Sequence, residues 1–122
     1  MPADSHRFSK SKRLLSPFDY KRVFDSNDQR AGSRHALVLS VINSTETSRL
    51  GLVIAKKHVR QANQRNRIKR IVREFFRNHP LSPHRDIVFL ARNGLGQLSN
   101  EEIRQTLIRL WSTIQAKPDD SP

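Results

Sequence analysis

A chain of 122 residues is long enough for one domain with one hydrophobic core. Its net charge of +12, from 23 Lys and Arg against 11 Asp and Glu, disfavours a self-contained compact monomer and favours polyanionic partners. The lack of cysteine excludes disulfides, thiolate zinc sites and cysteine nucleophiles. No stretch approaches the roughly 20 apolar residues of a membrane span, so a soluble, cytoplasmic protein is expected.

Residues 1–6 and 117–122 read as disordered polar tails of a single domain spanning 1–122. In "SPFDYKRVF", Ser16 suits an N-cap, Pro17 the first helical position and Asp19 the positive helix end. The helix that follows carries Phe18, Tyr20, Val23 and Phe24. Residues 27–33, with Gly32, predict a turn or a short edge segment. "RHALVLSVIN" predicts a strand with Ala36, Val38, Ser40 and Ile42 on one face and Leu37, Leu39 and Val41 on the other. The smaller, more polar first set is expected to meet solvent or ligand. "STETS" is turn chemistry and "RLGLVIAKK" a second strand, so the two strands are expected to form an antiparallel hairpin.

Asn63 is expected to cap the next helix. Within it Ile68, Ile71, Val72, Phe75 and Phe76 fall in an arc of about 140°, a stripe for the core. Arg67, Lys69, Arg70, Arg73 and Arg77 fill the opposite arc with Asn66, and Arg65 enters near the apolar edge. Pro80 and Pro83 end the helix. "DIVFLAR", residues 86–92, predicts a buried strand, and Gly94 and Gly96 a turn. "SNEE" is a capping box for a last helix that buries Ile103, Leu107, Leu110, Trp111 and Ile114. These elements predict an α+β fold: a small sheet of three to four strands, order α-β-β-β-α-β-α with the first strand short, and helices packed on one side.

Between Lys56 and Arg77 nine cations meet one acid, Glu74, so about two thirds of the net charge sits in 22 residues. The apolar stripe anchors the helix and holds the cations outward. Arginine dominates, and its planar fork grips phosphate oxygens bidentately and stacks on bases. A solvated helix with salt-bridge partners is the plain alternative, but one glutamate cannot pair five or six cations. "KSKRLL" and "PFDYKRVF" combine cations with aromatics, the composition of a single-strand platform, although core packing competes for Phe18 and Phe24. The five His and eleven acids form no metal spacing and no paired nuclease carboxylates, and no phosphate-cradling glycine loop occurs. A binding protein without catalytic or metal-ligating residues is therefore expected. From the residues alone a general RNA-binding or ribosome-associated protein stays open, as does a DNA reader with Asn66 as its one base-edge candidate.

"AKKHVRQANQRNRIKRIVREFFR", residues 55–77, resembles the signature of the bacterial ribonuclease P protein subunit: Lys-Lys after a strand, Arg-Asn-Arg, Ile-Lys-Arg, then Arg-Glu-x-Phe. "RLLSPFDYKRVF" resembles the family's other marker, and the likeness runs from about residue 7 to 115. It implies an α+β subunit, with a left-handed crossover against the usual rule, that joins a large catalytic RNA. That complex removes the 5′ leader of precursor tRNA by Mg²⁺-dependent hydrolysis. The resemblance places the chemistry and the Mg²⁺ on the RNA, with no cofactor on the protein alone. It implies contacts to the RNA subunit at Lys57, Arg60, Arg65, Asn66, Arg67, Lys69, Arg70 and Arg73. It implies leader contacts at Tyr20, Phe24, Lys56 and Arg92, in a cleft between the first helix and the open sheet face. Tyr20 stands where many members have Phe, and Asn93 follows Arg92 where they have a second cation. The implied partners are the catalytic RNA and precursor tRNA, with no membrane and no obligate protein partner.

Overall fold

The computed structural model describes Arg13 and residues 16–116, with side chains through Ile114; the expected tails lie outside these residues. Helix α1 spans Pro17–Ser26, β1 Gln29–Gly32, β2 Ala36–Ile42, β3 Arg49–Val53, α2 Ala62–Asn78, β4 Arg85–Ala91 and α3 Asn100–Ala116, with a 3₁₀ turn at Leu95–Gln97 before α3. Local chemistry sets several of these bounds. Ser16 Oγ accepts the Asp19 amide at 3.2 Å with Pro17 just inside α1. Ser99 and Glu102 exchange side-chain and amide bonds as the capping box requires. Helix α2 starts differently from expectation: Gln61, not Asn63, is its N-cap, and no side chain caps it.

The four strands form one mixed sheet in the order β1-β2-β4-β3. Strand β4 runs antiparallel to β2 and parallel to β3, so β2 and β3 do not pair and the expected hairpin between them is not formed. The physical reason is burial. Strand β4, "RDIVFLA", is buried at six of seven positions, and an almost continuous apolar run is best placed in the middle of a sheet. Insertion of β4 leaves β3 at an edge and makes α2 the crossover that parallel neighbours need.

The main core lies on one face of the sheet. Ala36 and Val38 of β2, Leu50 of β3 and Ile87, Phe89 and Ala91 of β4 meet Ile68, Ile71, Val72, Phe75 and Phe76 of α2 and Ile103, Leu107, Leu110, Trp111 and Ile114 of α3. The Phe75 and Phe76 rings meet Trp111 edge-on, with centroids 5.2 and 6.2 Å apart. The sheet is not one-sided, however. Helix α1 lies on the other face, where Val23 packs on Leu39 and Val88 beside Tyr20, Leu37, Val41, Val53 and Leu90. This reverses the expected faces of β2 except at its end, where Ile42 is exposed as expected. The small set, Ala36, Val38 and Ser40, is buried beneath α2 and α3, where close helix approach needs small side chains, and the larger Leu37 and Val41 stay partly exposed.

Candidate nucleic-acid interface

Two surfaces collect the predicted site residues. The first is α2 with the loop before it, residues 54–61. All five apolar residues of the α2 stripe are buried, at 0–7% exposure, so the opposite side of the helix has a fixed direction. Lys57, Arg60, Asn66, Arg70 and Arg77 are exposed, and Lys69 and Arg73 are half-buried. No ion pair forms among the described residues at Lys56, Lys57, Arg60, Lys69, Arg70, Arg73 or Arg77, and Glu74 pairs with none of them. Arg65 is partly engaged, its Nη1 donating to the carbonyls of Val59 and Arg60. Arg67 departs from the outward position expected of it. Its guanidinium turns inward and bonds to Gln64, Gly96, Leu98 and Asn100.

The second surface is the α1 side of the sheet. Strand register brings three rows of side chains there: Val41–Asp86–Arg49, then Arg30–Leu39–Val88–Gly51, then Gly32–Leu37–Leu90–Val53. Helix α1 covers the first two. Its Arg22 pairs with Asp86, and Asp19 lies 3.8 Å from Arg49, so this flank faces the first row. Tyr20 and Phe24 lie one turn apart on the opposite flank, toward the third row, with Tyr20 over Gly51 of the second. Leu37, Leu90 and Val53 form a partly exposed floor there. Parallel β3 and β4 end side by side, which sets Lys56 and Arg92 at the same end of this groove, both exposed. Arg92 Nη1 donates to Ser33 O at 2.7 Å, over the β1–β2 connection.

The aromatic wall is built of unlike parts. Phe24 is 42% exposed and Phe18, on the outer side of α1, 72% exposed, so neither is core. Tyr20 is held: its ring lies on Gly51, where an added Cβ would sit 2.7 Å from it, and its hydroxyl accepts the Leu52 amide at 3.2 Å. The bare backbone of Gly51 is what admits the ring. Arg73 stands at the junction of the two surfaces. Burial, and next the neighbouring Arg13, hold its guanidinium below the usual arginine range, while Tyr20 acts the other way. Arg13 itself bridges to Leu50 at the β3 edge.

Beneath α1 the fully buried Asp86 accepts from Arg49 Nε and Nη2 at 2.9 and 2.7 Å, from Asn43 Nδ2 at 2.7 Å and from Arg22. Burial pushes this carboxyl up, but the bonds from Arg49, Asn43 and Arg22 outweigh it and hold it below the usual carboxylate range. The sequence reading missed this cluster and also Arg30, which the register sets on the groove side of the edge strand. An acid inside the apolar run "DIVFLA" was the available signal for Asp86, since buried carboxylates require partners. Arg30 had none, because a four-residue strand shows too little alternation.

Outward cations on an anchored helix, without an ion pair among the described residues, and an apolar sheet face with cations at one end are the features of a polyanion-binding α+β protein. A family model of ribonuclease P matches residues 8–115. The ribonuclease P protein component of Marinobacter nauticus is 45% identical over 119 residues, covering 93% of this chain and 90% of its own. That of Pseudomonas putida is 45% identical over 111 residues, covering 90% and 84%. The solved Staphylococcus aureus RNase P protein superposes with a TM-score of 0.77 at 25% identity, over 87% of this chain and 97% of the other. The Thermotoga maritima RNase P protein, solved with 1-(4-fluorophenyl)-2-thiourea, gives 0.73 at 26% identity, over 88% and 100%. The chain belongs to the ribonuclease P protein family, the protein component of an endoribonuclease whose partner is an RNA subunit.

Proposed function

We propose that the two surfaces divide the work of this subunit. The loop 54–61 and the outer side of α2 bind the RNA subunit through Lys57, Arg60, Arg65, Asn66, Lys69, Arg70 and Arg73. The groove beside α1 takes the single-stranded 5′ leader of precursor tRNA, with Phe24 stacking on a base, Tyr20 shaping the wall and Lys56 and Arg92 meeting phosphates. The observation that carries this reading is the array of cations around α2 that form no ion pair among the described residues, beside a groove that pairs apolar floor with cationic rim. Each phosphate neutralised releases condensed counterions, contributing a salt slope of roughly 0.7–0.9. Stacking of a base on Phe24 adds about 1–3 kcal/mol, whatever the base.

Among the described residues no group of three His, Cys, Asp or Glu stands together to hold a metal ion. In this reading Mg²⁺ is held by the RNA, as the family resemblance implies, and the protein contributes by neutralising phosphates and adding leader contacts, so that less Mg²⁺ suffices. No described helix is long and apolar enough to cross a membrane; a cytoplasmic location without an obligate protein partner completes the proposal. The test is cleavage of a 5′-extended precursor tRNA at low Mg²⁺ by the protein alone, by a bacterial ribonuclease P RNA alone, and by both. Cleavage by the mixture only is expected. Cleavage by the protein alone would place an active site on this chain, and no stimulation of folded RNA would return it to a general RNA binder.

A further inference from the structure

The cation run at the start of α2 is not uniform. Arg67 Nε donates to Gln64 Oε1 at 2.8 Å, Nη1 to Asn100 Oδ1 at 2.6 Å, and Nη2 to the carbonyls of Gly96 and Leu98 at 3.0 and 3.1 Å. A guanidinium has five N–H donors in one plane. Four of them are thus committed to neutral acceptors, two on the connection between β4 and α3 and a third on Asn100 at the start of α3. Arg70, almost one turn further along α2, is exposed, and its side chain makes no hydrogen bond or ion pair among the described residues. The two arginines are neighbours in sequence and opposites in wiring.

The connection that Arg67 holds is also the surface on which the cationic loop rests. Val59 is buried against Gly96, where an added Cβ would stand 3.1 Å from its Cγ1. His58 Nδ1 and Asn93 Oδ1 are in hydrogen-bond contact. Arg65 Nη1 closes the loop from the other side, at 3.1 Å from Val59 O and 2.8 Å from Arg60 O. Lys56, Lys57 and Arg60 are therefore placed relative to α2 through the segment that Arg67 fixes.

We propose that Arg67 is a positioning residue, not a phosphate contact: it braces α2 against the β4–α3 connection and so presets the loop cations for the RNA. This rests on the reading that the loop and α2 face bind the RNA subunit. Lysine offers charge without the planar fork, so it cannot rebuild four directed bonds. A phosphate contact, by contrast, tolerates lysine as a point charge.

The experiment measures affinity of the full chain for ribonuclease P RNA across a salt series, for Arg67→Lys, Arg67→Gln, Asn100→Ala and Arg70→Gln, with amide exchange of the free protein alongside. Both Arg67 variants should lose about tenfold in affinity, the equivalent of one charged hydrogen bond. Their salt slope should stay at the wild-type value, because the loop cations remain and only preorganisation is lost. Exchange at 55–61 and 94–99 should quicken, and Asn100→Ala should be non-additive with Arg67→Lys. Rescue by lysine together with a slope lowered by about 0.7–0.9 in Arg67→Gln would overturn the proposal. If Arg70→Gln leaves the slope unchanged, the RNA reading of α2 falls instead. Exchange then decides for Arg67: quickening in Arg67→Lys supports the brace, and no change overturns it.

Discussion

Two charge clusters on opposite sides of the sheet follow opposite rules. Under α1, the buried carboxylate of Asp86 gathers Arg22, Arg49 and Asn43, and every group is paired. Around α2 and the loop before it, Lys57, Arg60, Lys69, Arg70, Arg73 and Arg77 form no ion pair among the described residues. The first cluster is closed and serves the fold, since it ties α1 to the sheet and sets the wall of the groove. The second is open, and in the proposed reading its counter-charge is RNA phosphate. Pairing, rather than density of charge, separates the two clusters, and the inward bonds of Arg67 put that boundary inside a single motif.

The sharpest way to break this contrast is to open the closed cluster. Asp86→Ala leaves Arg22 unpaired beneath α1 and Arg49 with Asp19 alone, and should cost about 3 kcal/mol in urea unfolding, at the low end for a broken buried pair because both arginines keep some contact with water. A loss below 1 kcal/mol would mean the cluster does not hold α1. Gly51→Ala drives a methyl into the Tyr20 ring and should cost about 1–3 kcal/mol, with α1 displaced. A crystal structure of that variant with Tyr20 unmoved would refute the packing account.

Acid titration probes the same cluster without mutation. The folded-state pKa of Asp86 is depressed, so its stabilising contribution is present above the unfolded value of about 4 and is lost as pH falls through the lower folded value. Unfolding midpoints should therefore drop as pH is lowered below about 4, and Asp86→Asn should flatten that drop. An identical pH profile in the variant would assign the acid sensitivity elsewhere.

The open surfaces should respond in binding rather than in stability. Phe24→Ala should weaken precursor binding by about 1–3 kcal/mol while sparing mature tRNA; equal loss for both would place Phe24 outside the leader path. Arg70→Ala should change stability by less than about 0.5 kcal/mol. Its signature is a salt slope for RNA binding lowered by about 0.7–0.9. An unfolding change larger than its binding change would make Arg70 a second brace.

What the sequence alone determined was mostly local. Ser16 with Pro17, and Ser99 with Glu102, marked two helix starts because capping involves neighbours three residues apart. The α2 stripe was legible because 3.6-residue periodicity assigns faces without knowledge of the partner. The charge run and the family resemblance were equally contained in the string of residues.

Tertiary structure decided what depends on contacts between distant segments. Strand order was one such matter: insertion of β4 between β2 and β3 follows from burying an apolar run on both faces, which no local pattern of the earlier strands encodes. Which face of β2 is buried was another, because alternation names two faces and only helix packing chooses between them. The wiring of Arg67 was the third. Its acceptors lie 29 to 33 residues away along the chain, apart from Gln64, and a guanidinium in a helix motif carries no mark of whether distant carbonyls will satisfy it.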